Sequence, residues 1–168
     1  VFLNSPNNPS GVVATEKNII RLAALLSARS KAYGHPIYLV GDEPYRELVY
    51  DGVNVPWLTK YYPDTLVCYS YSKSLSVPGE RAGYILVPDE AAHAEKLYAA
   101  VCGAGRALGY VCAPSLVQHV VAECAGQAAD LGAYKKNRDL LYDALQAYGY
   151  TCIRPNGAFY LFIRTPLP

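Results

Sequence analysis

The sequence predicts an α/β layered architecture, and three observations lead there. Three short runs of β-forming residues, "PIYLVGDEPY", "TLVCYSYS" and "RAGYILVP", each stop at glycine, proline or polar groups, as strands buried on both faces do. Helical patterning lies around them, most clearly from Glu16 to Tyr33. Hydrophobic residues make up 52% of the chain and charged residues 17%, which is enough to build a core and too apolar for a disordered chain. Strands alternating with helices over the first hundred residues belong to a layered α/β unit.

Each element has a local reason. Val1 to Leu3 reads as the end of a strand. "NSPNNPSGV" follows, and its two prolines, three asparagines and glycine exclude a helix interior. Thr15 is a suitable N-cap for the helix over 16–33, with Ile19, Ile20, Ala23 and Leu26 as apolar positions and Gly34 as the stop. The three strand runs come next. Asp89 is then expected to cap a helix reaching about Cys102, Pro114 to Gly126 is helical in pattern, and Ala128 to Tyr148 forms a longer helix with Leu131, Tyr134, Leu141 and Leu145 on one side. "YTCIRP" and "AFYLFIR" finish as strands, so the last forty residues read as a separate α+β unit.

Composition excludes several functions. A net charge of +1 gives no general electrostatic case for nucleic acid or an anionic membrane. Five cysteines at 68, 102, 112, 124 and 152, with no CxxC, read as buried reduced thiols of a cytoplasmic protein. His35, His93 and His119 are dispersed, the first in a loop and the others on helices, and no spacing suits a metal. No basic segment leads into an apolar run at the start, and the longest uncharged stretch, 107–122, is too short and broken to span a bilayer. Both ends look cut, since the chain opens on Val1-Phe2-Leu3 without methionine and closes on strand-like residues.

Polar groups cluster where the apolar runs stop, and in open α/β sheets ligands collect beyond the carboxyl ends of the strands. These groups are Asn8, Asp42 with Tyr45, Ser70 to Lys73, and Arg81. Asp42 follows "IYLVG"; a carboxylate at the end of a buried strand needs a cation or strong donors, which a helix cap or a loop salt bridge supplies as well as a ligand does. An ATPase acidic strand end is a competing reading, but the chain has no GxxxxGK[ST]. A lone lysine is ordinarily a solvated charge; one emerging from an apolar strand among serines, with an arginine following, also suits a nucleophilic amine beside an anion site. A turn with a surface ion pair between Arg81 and Glu80 accounts for the same residues.

Taken together these residues resemble the fold-type I aminotransferases that use pyridoxal phosphate. The resemblance lies in four ordered blocks, "NNPSG", "DEPY", "SYSKSLSVPGER" and "RAGYILV", with tyrosine three residues after the aspartate and arginine eight after the lysine. "VPGERAGY" looks most like the bacterial aspartate-aminotransferase-like branch. The resemblance implies a mainly parallel sheet with flanking helices over 1–126, the later part of the family's large pyridoxal-phosphate-binding domain, and the start of an α+β small domain over 127–168. It implies that Lys73 is the catalytic residue, forming a Schiff base with pyridoxal 5'-phosphate and shuttling the substrate proton. Asp42 is expected at the ring nitrogen, Asn8 and Tyr45 at the phenolic oxygen, and Ser70, Ser72 and Arg81 at the phosphate. It also implies a cis bond at Asn8-Pro9. "PNGAFYLFI" resembles the strand opening the family's small domain, and its aromatics read as core packing.

The function implied is amino-group transfer between an amino acid and a 2-oxo acid, by a homodimer acting in the cytoplasm, with no nucleic-acid or membrane partner. Two other readings stand beside it: a carbon–sulfur β-lyase of the same fold, and a non-catalytic aminotransferase-like domain of a transcription regulator. The family's glycine-containing phosphate loop, its ring-stacking aromatic, the partner subunit's tyrosine and the substrate-carboxylate arginine have no counterpart here, so the isolated chain is expected to be an inactive fragment.

Overall fold

The computed structural model describes residues 1–165. A four-stranded sheet carries the architecture, in the order β1 (Phe2–Asn4), β2 (Leu39–Asp42), β3 (Thr65–Ser70), β4 (Gly83–Leu86). β1, β2 and β3 run parallel, with Asn4 opposite Asp42 and Asp42 opposite Cys68. β4 returns antiparallel, with Ser70 opposite Gly83.

Parallel strands need a crossover, and helix α1 (Glu16–Tyr33) supplies the first. The Thr15 hydroxyl accepts from the Asn18 amide at 3.3 Å, and Gly34 ends the helix in the left-handed region, as expected. Ile19, Ala23 and Leu26, spaced for one helix face, are buried against Leu39, Leu58 and Tyr62. This cluster pins β2 to α1. The Ser70 hydroxyl then caps a single helical turn, α2 (Tyr71–Ser74). Helices α3 (Ala94–Ala107), α4 (Ser115–Glu123) and α5 (Leu131–Ala147) follow, and β5 (Thr151–Cys152) pairs antiparallel with β6 (Ile163–Arg164).

Several expectations need correction. β4 is exposed at all four positions rather than buried on both faces, because it is an edge strand that pairs only with β3. Asp89 does not cap α3. The amide of Ala92 donates to Asp64 Oδ1 (2.6 Å) and its carbonyl accepts from the Tyr38 hydroxyl (2.7 Å), so the chain is held in a turn and the helix begins after His93. His93 therefore lies ahead of the helix. All five cysteines are free, but Cys102 and Cys112 are exposed and the other three half-buried.

The two C-terminal strands are shorter than their sequences suggest, because the intervening segment leaves them to bond elsewhere. The amides of Asn156 and Gly157 donate to the Gly11 carbonyl, and that of Ala158 to the Leu48 carbonyl. Gly11 has φ +68°, and a side chain on it would collide with Pro155; one on Gly157 would meet the Leu48 carbonyl and Pro6. Two glycines thus let this segment pass between the loops after β1 and β2.

Arg138 of α5 fixes the same junction. It is 6% exposed, lies 4.7 Å over the Tyr50 ring, and donates to the Pro155 carbonyl (3.1 Å), Asp51 Oδ2 (2.8 Å) and Asp139 Oδ1 (2.8 Å). Arg154, then Arg138 and Lys135, hold the Asp139 carboxyl well below the usual carboxylate range. Replacing Arg138 with alanine leaves the Pro155 carbonyl without its donor and is expected to cost about 1–3 kcal/mol; Leu39→Ala, which opens the core beneath β2, should cost about 2–5 kcal/mol. Urea unfolding of each variant measures both, and an Arg138→Ala protein as stable as the parent would contradict the assigned role.

Candidate active site

The parallel register sets Asn4 beside Asp42 at the carboxyl ends of β1 and β2, and Ser70 ends β3 two residues beyond Cys68, the partner of Asp42. Asn4 Nδ2 donates to Asp42 Oδ2 (3.1 Å) and to the Asp42 carbonyl (2.9 Å). Asn4 Oδ1 accepts from the Asn8 amide (2.6 Å) and from Asn7 Nδ2 (3.3 Å). Asn4 therefore ties the loop after β1 to the carboxylate that ends β2. The Asn8-Pro9 bond is cis, as the resemblance implies, and so is Ser5-Pro6.

Asp42 is open to solvent on one side, yet its carboxyl is pushed above the usual range by desolvation among the strand ends, with the Asn4 hydrogen bond pulling the other way. Among the described residues neither Asp42 nor Lys73 takes part in an ion pair. Tyr45, three residues on, is buried, and its hydroxyl lies 2.7 Å from that of Tyr160. Asn8 Nδ2 donates to the Tyr160 hydroxyl at 3.4 Å. Burial first, and then Tyr160, push the Tyr45 phenol well above its ordinary pKa.

At the end of β3, the Ser70 hydroxyl donates to the Ser72 hydroxyl (2.9 Å) and accepts from the Ser72 amide (3.2 Å). Lys73 is half-buried in the α2 turn, its Nζ 5.4 Å from the centre of the Phe159 ring. The Tyr71 amide donates to the Ala82 carbonyl (3.1 Å), which brings the Arg81 backbone beside this turn. The Arg81 side chain is exposed and donates to the Pro78 carbonyl at 2.9 Å rather than to either serine. Of the seven residues singled out in the sequence, Asn8, Asp42 and Tyr45 are therefore linked through Asn4 and Tyr160. Ser70 and Ser72 are linked to each other, Lys73 faces Phe159, and Arg81 stands apart.

Asn4, Phe159 and Tyr160 were missed from the sequence. The reading of the C-terminal aromatics as core packing is corrected: Phe159 and Phe162 are exposed and Tyr160 is half-buried. Phe159 is 39% exposed and faces Lys73, and Tyr160 places a hydroxyl between Asn8 and Tyr45. Only the register Asn4–Asp42 and a contact across 115 residues reveal them. A cleft of about 650 Å³ runs behind the aromatics, with Tyr50, Tyr134, Leu141, Phe159, Tyr160 and Ile163 among its walls. It includes none of Asn8, Asp42 or Lys73, so the strand ends define the site.

Residues 1–167 match the family model described as aminotransferase class I and II. The chain belongs to that family. Solved and curated aminotransferases agree with this. An amino transferase structure from Eubacterium rectale is 62% identical, with a TM-score of 0.95 over 98% of this chain and 41% of that one. A probable N-acetyl-LL-diaminopimelate aminotransferase of Bacillus subtilis is 33% identical over 96% of this chain and 39% of its own length. A probable aspartate/prephenate aminotransferase of Thermus aquaticus is 32% identical over 98% and 42%. The chain thus spans about two-fifths of the length of the aminotransferases it matches, with their fold-type I architecture. No helix among the described residues is long and apolar enough to cross a membrane.

The desolvated Asp42 gives a pH-dependent stability. Its folded pKa is raised, so ionisation opposes folding above that pKa, and the penalty vanishes below the unfolded value of an aspartate. Asp42→Asn keeps an acceptor for Asn4 and should therefore melt slightly higher than the parent at pH 7.5. The difference should disappear at pH 3.5. Thermal melts of both proteins at the two pH values provide the measurement, and a variant less stable at pH 7.5 would show that Asp42 is a structural anchor instead.

Proposed function

We propose that this chain holds pyridoxal 5'-phosphate and supplies the catalytic lysine for amino-group transfer between an amino acid and a 2-oxo acid. The observation that carries the reading is that an unbridged carboxylate, Asp42, ends β2 while an unbridged amine, Lys73, stands in the turn after β3, its parallel neighbour. The donor set fits the cofactor group by group. A ring nitrogen needs a carboxylate, a phenolic oxygen needs donors such as Asn8 and Tyr45, and a phosphate suits the paired hydroxyls of Ser70 and Ser72. Arg81 serves the same phosphate once its exposed side chain leaves the Pro78 carbonyl. In this reading residues 1–126 form the cofactor-holding unit, and the residues from 127 onward begin a smaller unit that contributes Phe159 and Tyr160.

When bound, pyridoxal phosphate supplies an electron-accepting ring that stabilises negative charge at the substrate Cα. Asp42 would keep a proton at the ring nitrogen, since no cation among the described residues pairs with its carboxylate. Lys73 Nζ takes the α-proton and returns it, a general base and then a general acid. Phe159, facing that nitrogen, shields it from water on one side. The substrates, the homodimeric state and the cytoplasmic setting belong to this proposal, since the matched relatives extend well beyond the chain.

Full-length protein incubated with pyridoxal phosphate should turn yellow, and borohydride should fix the cofactor's mass on the peptide carrying Lys73. Lys73→Ala should lose both signals, and transamination should fall by roughly 10²–10⁴-fold or more. A borohydride-stable adduct on another lysine would overturn the assignment. Pyruvate and ammonia in place of a 2-oxo acid and an aminated cofactor would replace transfer by β-elimination.

A further inference from the structure

The two residues assigned to the phenolic oxygen, Asn8 and Tyr45, share one more partner, the hydroxyl of Tyr160. Asn8 sits on the loop after β1, Tyr45 follows β2, and Tyr160 arrives from the C-terminal segment. Tyr160 is held there by its neighbours. The Tyr50 hydroxyl donates to the Ala158 carbonyl (2.5 Å), the Ala158 amide to Leu48, and the Gly157 amide to Gly11. The Tyr45 ring packs edge-on against both Phe159 (5.5 Å) and Tyr160 (5.7 Å). The meeting of the three polar groups is thus built by packing on two sides.

Counting protons decides how the three can serve a fourth group. An amide nitrogen only donates, and each phenol has one proton and two lone pairs. If Tyr160 accepts from Asn8 and gives its proton to Tyr45, the Tyr45 proton is left for another acceptor. Tyr45 is 4% exposed, so water is a poor candidate for that acceptor. A hydroxyl that accepts one hydrogen bond also donates a stronger one.

Resting on the functional reading above, we propose that Tyr160 is a positioning residue: its oxygen takes the Asn8 hydrogen bond, its proton goes to Tyr45, and the Tyr45 proton is thereby aimed at the phenolic oxygen of the cofactor. Tyr160 itself does not touch the reacting atoms. Its role is to couple the C-terminal segment to the electronic state of the ring.

The test is the visible absorption of full-length protein loaded with pyridoxal phosphate, followed against pH, together with a titration of the cofactor into the free protein. Tyr160→Phe keeps the ring and removes the hydroxyl. It should raise the chromophore pKa by about half a unit to one unit and weaken cofactor binding roughly three- to tenfold, the size of one hydrogen bond. Tyr45→Phe should shift the pKa the same way, and adding Tyr160→Phe to it should produce no further shift. An unchanged chromophore pKa in Tyr160→Phe, or a shift that persists in the Tyr45→Phe background, overturns the proposal. A lower pKa with tighter binding also overturns it, and shows instead that Tyr160 accepts from both residues and competes with the cofactor. A parent protein that takes up no cofactor on Lys73 overturns the functional reading itself, and is distinguished from these outcomes by the borohydride adduct.

Discussion

Parallel pairing of β1, β2 and β3 in one register is the constraint on which the site depends. Side chains alternate across a strand, so a slip of one residue would turn Asp42 to the opposite face and carry Gly41 to its place. The register is held from below. Leu39 packs with Ile19, Ala23 and Leu26 of the crossover helix, and that contact fixes where β2 ends. Asn4 then reads the register from above, since its amide reaches both the carbonyl and the carboxylate of Asp42. The core and the site are two ends of the same short strand.

The second constraint is the passage of residues 155–160 between the loops after β1 and β2. The backbone bonds to Gly11, Leu48 and Tyr50 spend the polar groups that a longer β5–β6 ladder would have used. What is gained is a fixed location for Phe159 and Tyr160. Arg138 secures the junction because it is buried and satisfied on all sides, whereas Lys135 and Arg154 stand at the exposed rim, where ion pairs contribute little.

The parts of this fold that were legible in the sequence are those governed by local chemistry. Thr15 and Gly34 bound α1 because a hydroxyl caps and a glycine turns left-handed without strain, and both signals lie within a few residues of the helix. The polar strand ends were legible for the same reason. Asn4 was not, because its importance lies in facing Asp42 across the sheet. Tyr160 was not, because nothing near "GAFYLF" distinguishes a packed phenol from one that meets a residue 115 positions away. The edge position of β4 and the late start of α3 are likewise set by partners distant in sequence: β3 alone for the one, Asp64 and Tyr38 for the other.

The ion pairs among the described residues all lie away from the site. Glu43 pairs with Arg46, which also lies 3.8 Å over the Trp57 ring, and Asp51 and Asp139 pair with Lys135, Arg138 and Arg154. These pairs cover the polar cost of closing a loop or docking a helix. At the strand ends a carboxylate and an ammonium stand without ionic partners, and desolvation acts on the carboxylate unopposed except by one amide. Asp42 stands unpaired among strand ends that partly desolvate it, a cost to the free protein. A ligand with a protonatable ring would give Asp42 its opposite charge and recover in binding what the free protein forgoes in stability.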